Sequence, residues 1–178
     1  LTPRDVVVIE NGEGRQVTSL KQEPANVLLV LDHSLEFGMM KNGRPQLQRE
    51  AAGQNRLLTA PATVDFTEAL LALLGETDHL AIIQYSDQVE LLQNWTTDRR
   101  AARQSLRAKV RPGEKTRLYD ALLLAAKTFA QRPEGRRVLV LVTDGIDTAS
   151  QTQKQAALTA LARTGATLFI VSLAEFIK

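Results

Sequence analysis

Asn26-Val27-Leu28-Leu29-Val30-Leu31, running directly into Asp32-His33-Ser34, is the stretch on which the fold turns. Its apolar run has no polar alternation, the pattern of a strand covered on both faces. A second run of the same kind, Val138 to Val142, leads into Thr143-Asp144-Gly145. Between them Lys115-Thr116-Arg117-Leu118-Tyr119-Asp120 puts a hydroxyl residue at the entrance to an apolar helix. Hard cations such as Mg²⁺ take oxygen ligands and retain waters, so carboxylates and hydroxyls delivered by separate loops suit them. In an open parallel sheet such loops converge at the C-terminal ends of the strands. The expectation is an α/β domain with a metal-ion site on that edge.

The rest of the chain supports an α/β reading. Val6 to Ile9 and Gln16 to Leu20 flank Asn11-Gly12-Glu13-Gly14 and predict a hairpin or edge strands, so residues 1–25 are assigned to an N-terminal extension and 26–178 to the main domain. Met40 to Thr59 is polar and weakly periodic, a loop with at most a helical turn. Thr63 to Leu74 carries a helical apolar stripe. Leu80 to Tyr85 is a second buried strand, with Val89 to Leu92 antiparallel to it beyond the Ser86-Asp87-Gln88 turn. Asp98 caps a basic amphipathic helix, Arg99 to Val110. Leu118 to Gln131 is a helix closed by Pro133 and Gly135; Gln151 to Arg163 is another, ended by Gly165, and Thr167 to Ser172 is a last strand. Strands alternating with helices imply a doubly wound, mostly parallel sheet flanked by helices on both faces.

Composition narrows the chemistry. At 178 residues with 44% hydrophobic content, the chain can bury a sizeable core. Twenty-two basic against twenty acidic residues leave a net charge of +2, and only 4% of residues are aromatic, so the basic clusters at Arg99-Arg100, Arg103 to Arg111 and Arg136-Arg137 read as a solvated helix face and a loop, not a nucleic-acid surface. The absence of cysteine excludes thiolate sites and thiol catalysis, and two histidines argue against a His-rich zinc centre. No apolar run approaches the ~20 residues that span a bilayer, so no direct membrane insertion is expected. The chain opens mid-pattern on Leu1-Thr2-Pro3 and reads as an excised segment, so its lack of a targeting signal carries little weight.

The order of these motifs resembles the von Willebrand factor type A domain, whose metal-ion-dependent adhesion site uses Asp-x-Ser-x-Ser, a distant Thr and a distant Asp. Asp32, Ser34, Thr116 and Asp144 match four of those five ligands. Thr116 to Ala121 and Val142 to Thr148 look like the second and third metal loops. The lead-in Val6-Val7-Val8-Ile9-Glu10-Asn11-Gly12 with Val17 to Leu20 is similar to the related domains found in large numbers in acidobacteria. The resemblance implies a Rossmann-like sheet, a bound Mg²⁺ (or Mn²⁺ or Ca²⁺), a protein partner contributing an acidic side chain, and a secreted, periplasmic or cell-surface setting.

The fifth position departs from the pattern, with Glu36 where the family has its second serine. Serine is a neutral ligand that leaves the ion electron-poor. If Glu36 reaches the ion, it takes the partner's position and raises cation affinity. If it points away, the ion loses a ligand. In a third case the site holds no metal and the loops form a plain binding surface. Each residue also has a plainer role. Asp32 and Ser34 suit a turn, Thr116 a helix N-cap, Asp144 an Asp-Gly turn, and Asp120 the first turn of a helix. Asp147 reads as solvated, His33 and His79 as structural or exposed, and Trp95 as packed beneath a loop or anchoring a partner.

Three functions follow. The chain is a protein-binding module, with the loop Phe37 to Thr59 supplying specificity; or a degenerate structural domain without functional metal; or a Mg²⁺-dependent phosphohydrolase with Asp32 as nucleophile. The last is disfavoured because the position two after Asp32 is Ser34 rather than a second acid, and no phosphate-cradling glycine loop is present.

Overall fold

A five-stranded sheet organises the chain, and its central strand is the one the sequence marks. The computed structural model describes residues 2–21, 23–34, 40–41, 44–45, 61–108, 113–132 and 134–172. Strand β3 (Ala25–Asp32) is buried along its whole length and pairs in parallel with β6 (His79–Tyr85) on one side and β8 (Arg136–Thr143) on the other. Strand β7 (Val89–Thr96) lies antiparallel outside β6, and β9 (Thr167–Ser172) parallel outside β8, giving the order β7-β6-β3-β8-β9. The chain builds outward from β3 to one side and then returns to build on the other. Its switch point lies beside the C-terminal end of β3, where open α/β sheets bind ligands.

Among the described residues four α-helices cover the sheet: α1 (Pro61–Leu73), α2 (Arg99–Ala108), α3 (Leu118–Ala130) and α4 (Lys154–Ala162). Because alternate strand residues face opposite ways, Val27, Leu29 and Leu31 pack with Leu71, Leu74, Ala102 and Leu106 of the α1–α2 side. Leu28 and Val30 pack with Leu118, Leu122, Phe129, Ala157 and Leu161 of the α3–α4 side. The mostly parallel, helix-covered architecture is therefore the expected one. The polar start of β3 is tied down by Asn26, which donates to Glu134 O at 2.6 Å and accepts from Arg132 Nε at 3.1 Å.

Several local expectations are corrected. The N-terminal hairpin pairs β1 (Val8–Glu10) with β2 (Glu13–Arg15) around Asn11 (φ 53°) and Gly12 (φ 83°), so the second strand precedes Gln16 to Leu20. Two adjacent positive φ values match the strand twist of a two-residue hairpin turn, which shortens the connection. Within the polar segment, the two-residue strands β4 (Met40–Lys41) and β5 (Arg44–Pro45) pair antiparallel; the remainder, and with it Phe37 to Thr59 as a specificity loop, lies outside the described residues. Strand β7 runs to Thr96, further than its short apolar run suggests. Trp95 packs against Phe129 of α3 (centroids 5.8 Å apart) and donates to Thr128 O, so it lies against a helix rather than beneath a loop. Asp98 caps α2 as expected, accepting Arg100 N at 2.8 Å.

The basic helix is not simply solvated. Arg103 forms a bidentate pair with Glu68, and Arg99 donates to Leu74 O. Arg136 and Arg137 begin β8 instead of occupying a loop, with Arg137 donating to Thr164 O and Arg132 O. Strand β9 forms an edge whose Phe169 and Ile170 are 56% and 60% exposed. Among the described residues no helix is long and apolar enough to cross a membrane.

Leu29 is fully buried at the centre of the sheet. Leu29→Ala is expected to lower unfolding free energy by about 2–5 kcal/mol, read as a lower urea midpoint at unchanged slope.

Candidate functional site

Beyond Leu31 the central strand leaves the core but does not reach water. Asp32, His33 and Ser34 are 3%, 2% and 0% exposed. The backbone stays tied: His33 N donates to Tyr85 O at 2.9 Å, Gly113 N donates to His33 O at 3.2 Å, and Ser34 bridges Gly113 in parallel. Asp32 Oδ1 accepts both Ser34 N (2.9 Å) and Ser34 Oγ (2.7 Å). Asp32 Oδ2 is buried with no hydrogen-bond partner. Burial pushes the carboxyl up to about 6; the hydrogen bonds from Ser34 oppose this, and the charge of Asp144 adds to it. The Tyr85 hydroxyl donates to Thr143 Oγ1 at 2.7 Å, which leaves Oδ2 without a donor.

Asp144 follows β8 and makes the same local turn, its Oδ1 accepting Ile146 N at 2.8 Å. It is half-buried and close enough to Asp32 to disfavour ionisation there. The structure thus brings Asp32, Ser34 and Asp144 to one edge, and the turn-forming role anticipated for Asp32 and Asp144 is carried by their Oδ1 atoms alone.

Thr116 comes to this edge by two attachments. Gly113, three residues earlier, is joined to His33 and Ser34. Asp87, just past β6, accepts Glu114 N (3.1 Å) and Lys115 N (2.8 Å) on its Oδ1. A Cβ at Gly113 would lie 2.7 Å from both Asp87 N and its carboxylate, so only glycine allows this approach. On the other side Thr116 meets Thr148: Thr116 N donates to Thr148 Oγ1 (3.0 Å), Thr148 N to Thr116 Oγ1 (3.0 Å), and the hydroxyls are 3.1 Å apart. Thr116 is therefore not the cap of α3; that position is Arg117.

Neighbouring acids hold the loops rather than face solvent. Asp147 accepts Ser150 Oγ at 2.5 Å, correcting its reading as solvated, and Ser150 Oγ in turn accepts Tyr119 N and Asp120 N. Asp120 accepts Gln151 N and Thr152 N; burial works to raise its carboxyl, but these bonds and Arg117 outweigh it and hold it low. His33 is buried rather than exposed, with both ring nitrogens unpartnered and its imidazolium disfavoured by burial, to about 4. Reading the sequence missed Asp87, Thr148 and Ser150. Only Asp87 carried a signal, an acid directly after a buried strand like Asp32. Glu36 lies outside the described residues.

The donors are oxygens throughout, and among the described residues no three acidic, histidine or cysteine side chains form a cluster. Two carboxylates, one with a buried oxygen that lacks a donor, and two hydroxyls fit a hard divalent cation better than a soft one.

The sequence pattern of the von Willebrand factor type A domain matches residues 27–146, more than half of the chain. Comparison with curated proteins finds no match. Among solved structures, proximal thread matrix protein 1 from the mussel byssus superposes with a TM-score of 0.65 at 16% identity, over 84% of this chain and 38% of that one. The same mussel protein with a zinc-occupied metal-ion-dependent adhesion site gives 0.63 at 15% identity, over 84% and 38%. The von Willebrand factor domain of the type V pilus tip protein Mfa5 from Porphyromonas gingivalis gives 0.55 at 23%, over 76% and 44%. These likenesses establish the fold, and the chain spans less than half the length of these proteins.

Gly113→Ala is expected to destabilise the protein by about 1–3 kcal/mol through forced displacement of the 113–115 loop, measured by chemical denaturation. Adding Asp87→Ala does not restore wild-type stability, because the backbone nitrogen of residue 87 still lies 2.7 Å from the new Cβ.

Proposed function

Because the chain belongs to the von Willebrand factor type A family, we propose that it is a protein-binding module that engages its partner through a divalent cation at the C-terminal edge of the sheet. Asp32, Ser34, Thr116 and Asp144 hold the ion; Glu36 stands in sequence where the family has its fifth ligand, and the open position recruits an acid only if the Glu36 carboxylate does not fill it. The ion supplies a Lewis-acidic coordination position for an acidic side chain of the partner. The observation that carries this reading is Asp32 Oδ2, a buried carboxylate oxygen with no donor, beside a second carboxylate. Mg²⁺ is the first candidate, with Mn²⁺ and Ca²⁺ as alternatives, and the zinc-occupied mussel protein supports a divalent ion on this fold. Pilus-tip, membrane and byssus proteins among the structural relatives support a secreted, periplasmic or cell-surface setting.

Catalysis through Asp32 is less well supported, because its Oδ1 is occupied by the Ser34 amide and hydroxyl. A metal-free structural domain is favoured by one feature, Glu36 in place of serine. Glu36→Ser separates the two: restored or strengthened Mg²⁺ binding supports a tuned site, and no response supports degeneracy.

Proton and cation compete for Asp32. Its folded carboxyl, near 6, lies above the unfolded value of 3.8. Without metal, this group's contribution to stability therefore falls as pH rises from about 4 to 6. With metal the dependence reverses, since only the ionised carboxylate binds. Millimolar Mg²⁺ or Mn²⁺ is expected to raise Tm at pH 7.5, with the rise shrinking as pH falls through 6. Asp32→Ala and Asp144→Ala should each abolish it. A wild-type protein that shows neither a Tm rise nor calorimetric heat with Mn²⁺ would overturn the proposal.

A further inference from the structure

The contact between Thr116 and Thr148 carries more than loop attachment. A threonine hydroxyl donates one hydrogen bond and accepts two. Thr116 Oγ1 already accepts Thr148 N at 3.0 Å, and Thr148 Oγ1 accepts Thr116 N at 3.0 Å. The hydroxyl–hydroxyl contact at 3.1 Å can run in either direction. If Thr148 donates, both Thr116 lone pairs are used and the Thr116 proton must point elsewhere. If Thr116 donates, it keeps one lone pair, and Thr148 turns its own proton outward.

The surroundings of the two residues differ. Thr116 is fully buried, so no solvent can take its proton, whereas Thr148 is exposed and its proton can go to water. We infer that Thr148 is a positioning residue for the cation: its hydroxyl accepts the Thr116 proton and so frees a Thr116 lone pair to face the ion. This rests on the proposed metal site. The loops do not need the Thr148 hydroxyl merely to stay together, because Thr116 O also accepts Thr148 N (3.1 Å) and Ala149 N (2.9 Å). What the hydroxyl alone supplies is an acceptor for the Thr116 amide and for the Thr116 hydroxyl.

Calorimetric titration of the metal-free protein with Mn²⁺ tests the inference. Thr148→Val, which keeps the shape and removes the acceptor, is expected to weaken binding about 10–100-fold, as loss of an outer-sphere partner does. Thr148→Ser should bind like wild type. On a Thr116→Val background, which also weakens binding, adding Thr148→Val should cost nothing more, because the hydroxyl it orients is gone. If Thr148→Val proves too unstable to titrate, Thr148→Ala read against Thr148→Ser in the same cycle takes its place. Wild-type binding with undiminished binding by Thr148→Val overturns this inference alone and leaves the metal site standing. No binding by wild type overturns the metal site and this inference with it. Equal, additive losses from Thr148→Val on both backgrounds reduce Thr148 to a structural tie.

Discussion

Removing the Asp32 carboxylate from water is the constraint on which the candidate site depends. Helix layers shield both faces of β3, and parallel neighbours flank both edges, so a side chain at its end inherits the dryness of the core. One oxygen of Asp32 is satisfied by Ser34 and the other is not. An ionised group so placed is costly unless it is paired, and the upward shift of its carboxyl expresses that cost. Asp144 adds repulsion instead of relief. With the Asp144 charge nearby, this buried carboxyl favours a proton in acid and, under the proposed reading, a cation near neutrality.

The surrounding acids divide the work. Asp87, Asp120 and Asp147 spend their oxygens on loop amides and hydroxyls. Asp32 and Asp144 spend Oδ1 on the amide two residues ahead. The first group fixes where the loops lie, so the second can be held close despite repulsion. For the proposed cation this arrangement is pre-organisation, because these loop attachments are made by residues other than its ligands.

Most of the architecture was legible because burial on both faces leaves an unmistakable apolar run, as in β3 and β8, and because α3 has a strong helical stripe. Strand β7 was only half legible: beyond Leu92 it continues through the polar Gln93 and Asn94, so its apolar pattern fades before its hydrogen bonding does. The hairpin register shifted because the Asn-Gly turn, not the apolar runs, sets where pairing begins. At the site, Asp32, Ser34 and Asp144 stood out as oxygen donors at strand ends. Thr116 was legible as a hydroxyl but not in its partner, because Thr148 lies 32 residues away and no local pattern links them. The approach of Asp87 is what reveals the use of the missing Cβ at Gly113.

Charge arithmetic at the edge gives Glu36 its importance. A divalent ion held by the ionised carboxylates of Asp32 and Asp144, with the neutral hydroxyls of Ser34 and Thr116, is formally neutral. Its open position can then draw an anionic side chain without net repulsion. A third carboxylate makes the same cluster formally −1, and at an edge of low effective dielectric that extra charge repels an incoming acid at close range. The cluster would then favour a neutral or basic group, or no ligand beyond water. Under the proposed reading, recruitment of an acidic partner therefore requires that the Glu36 carboxylate not join the cluster.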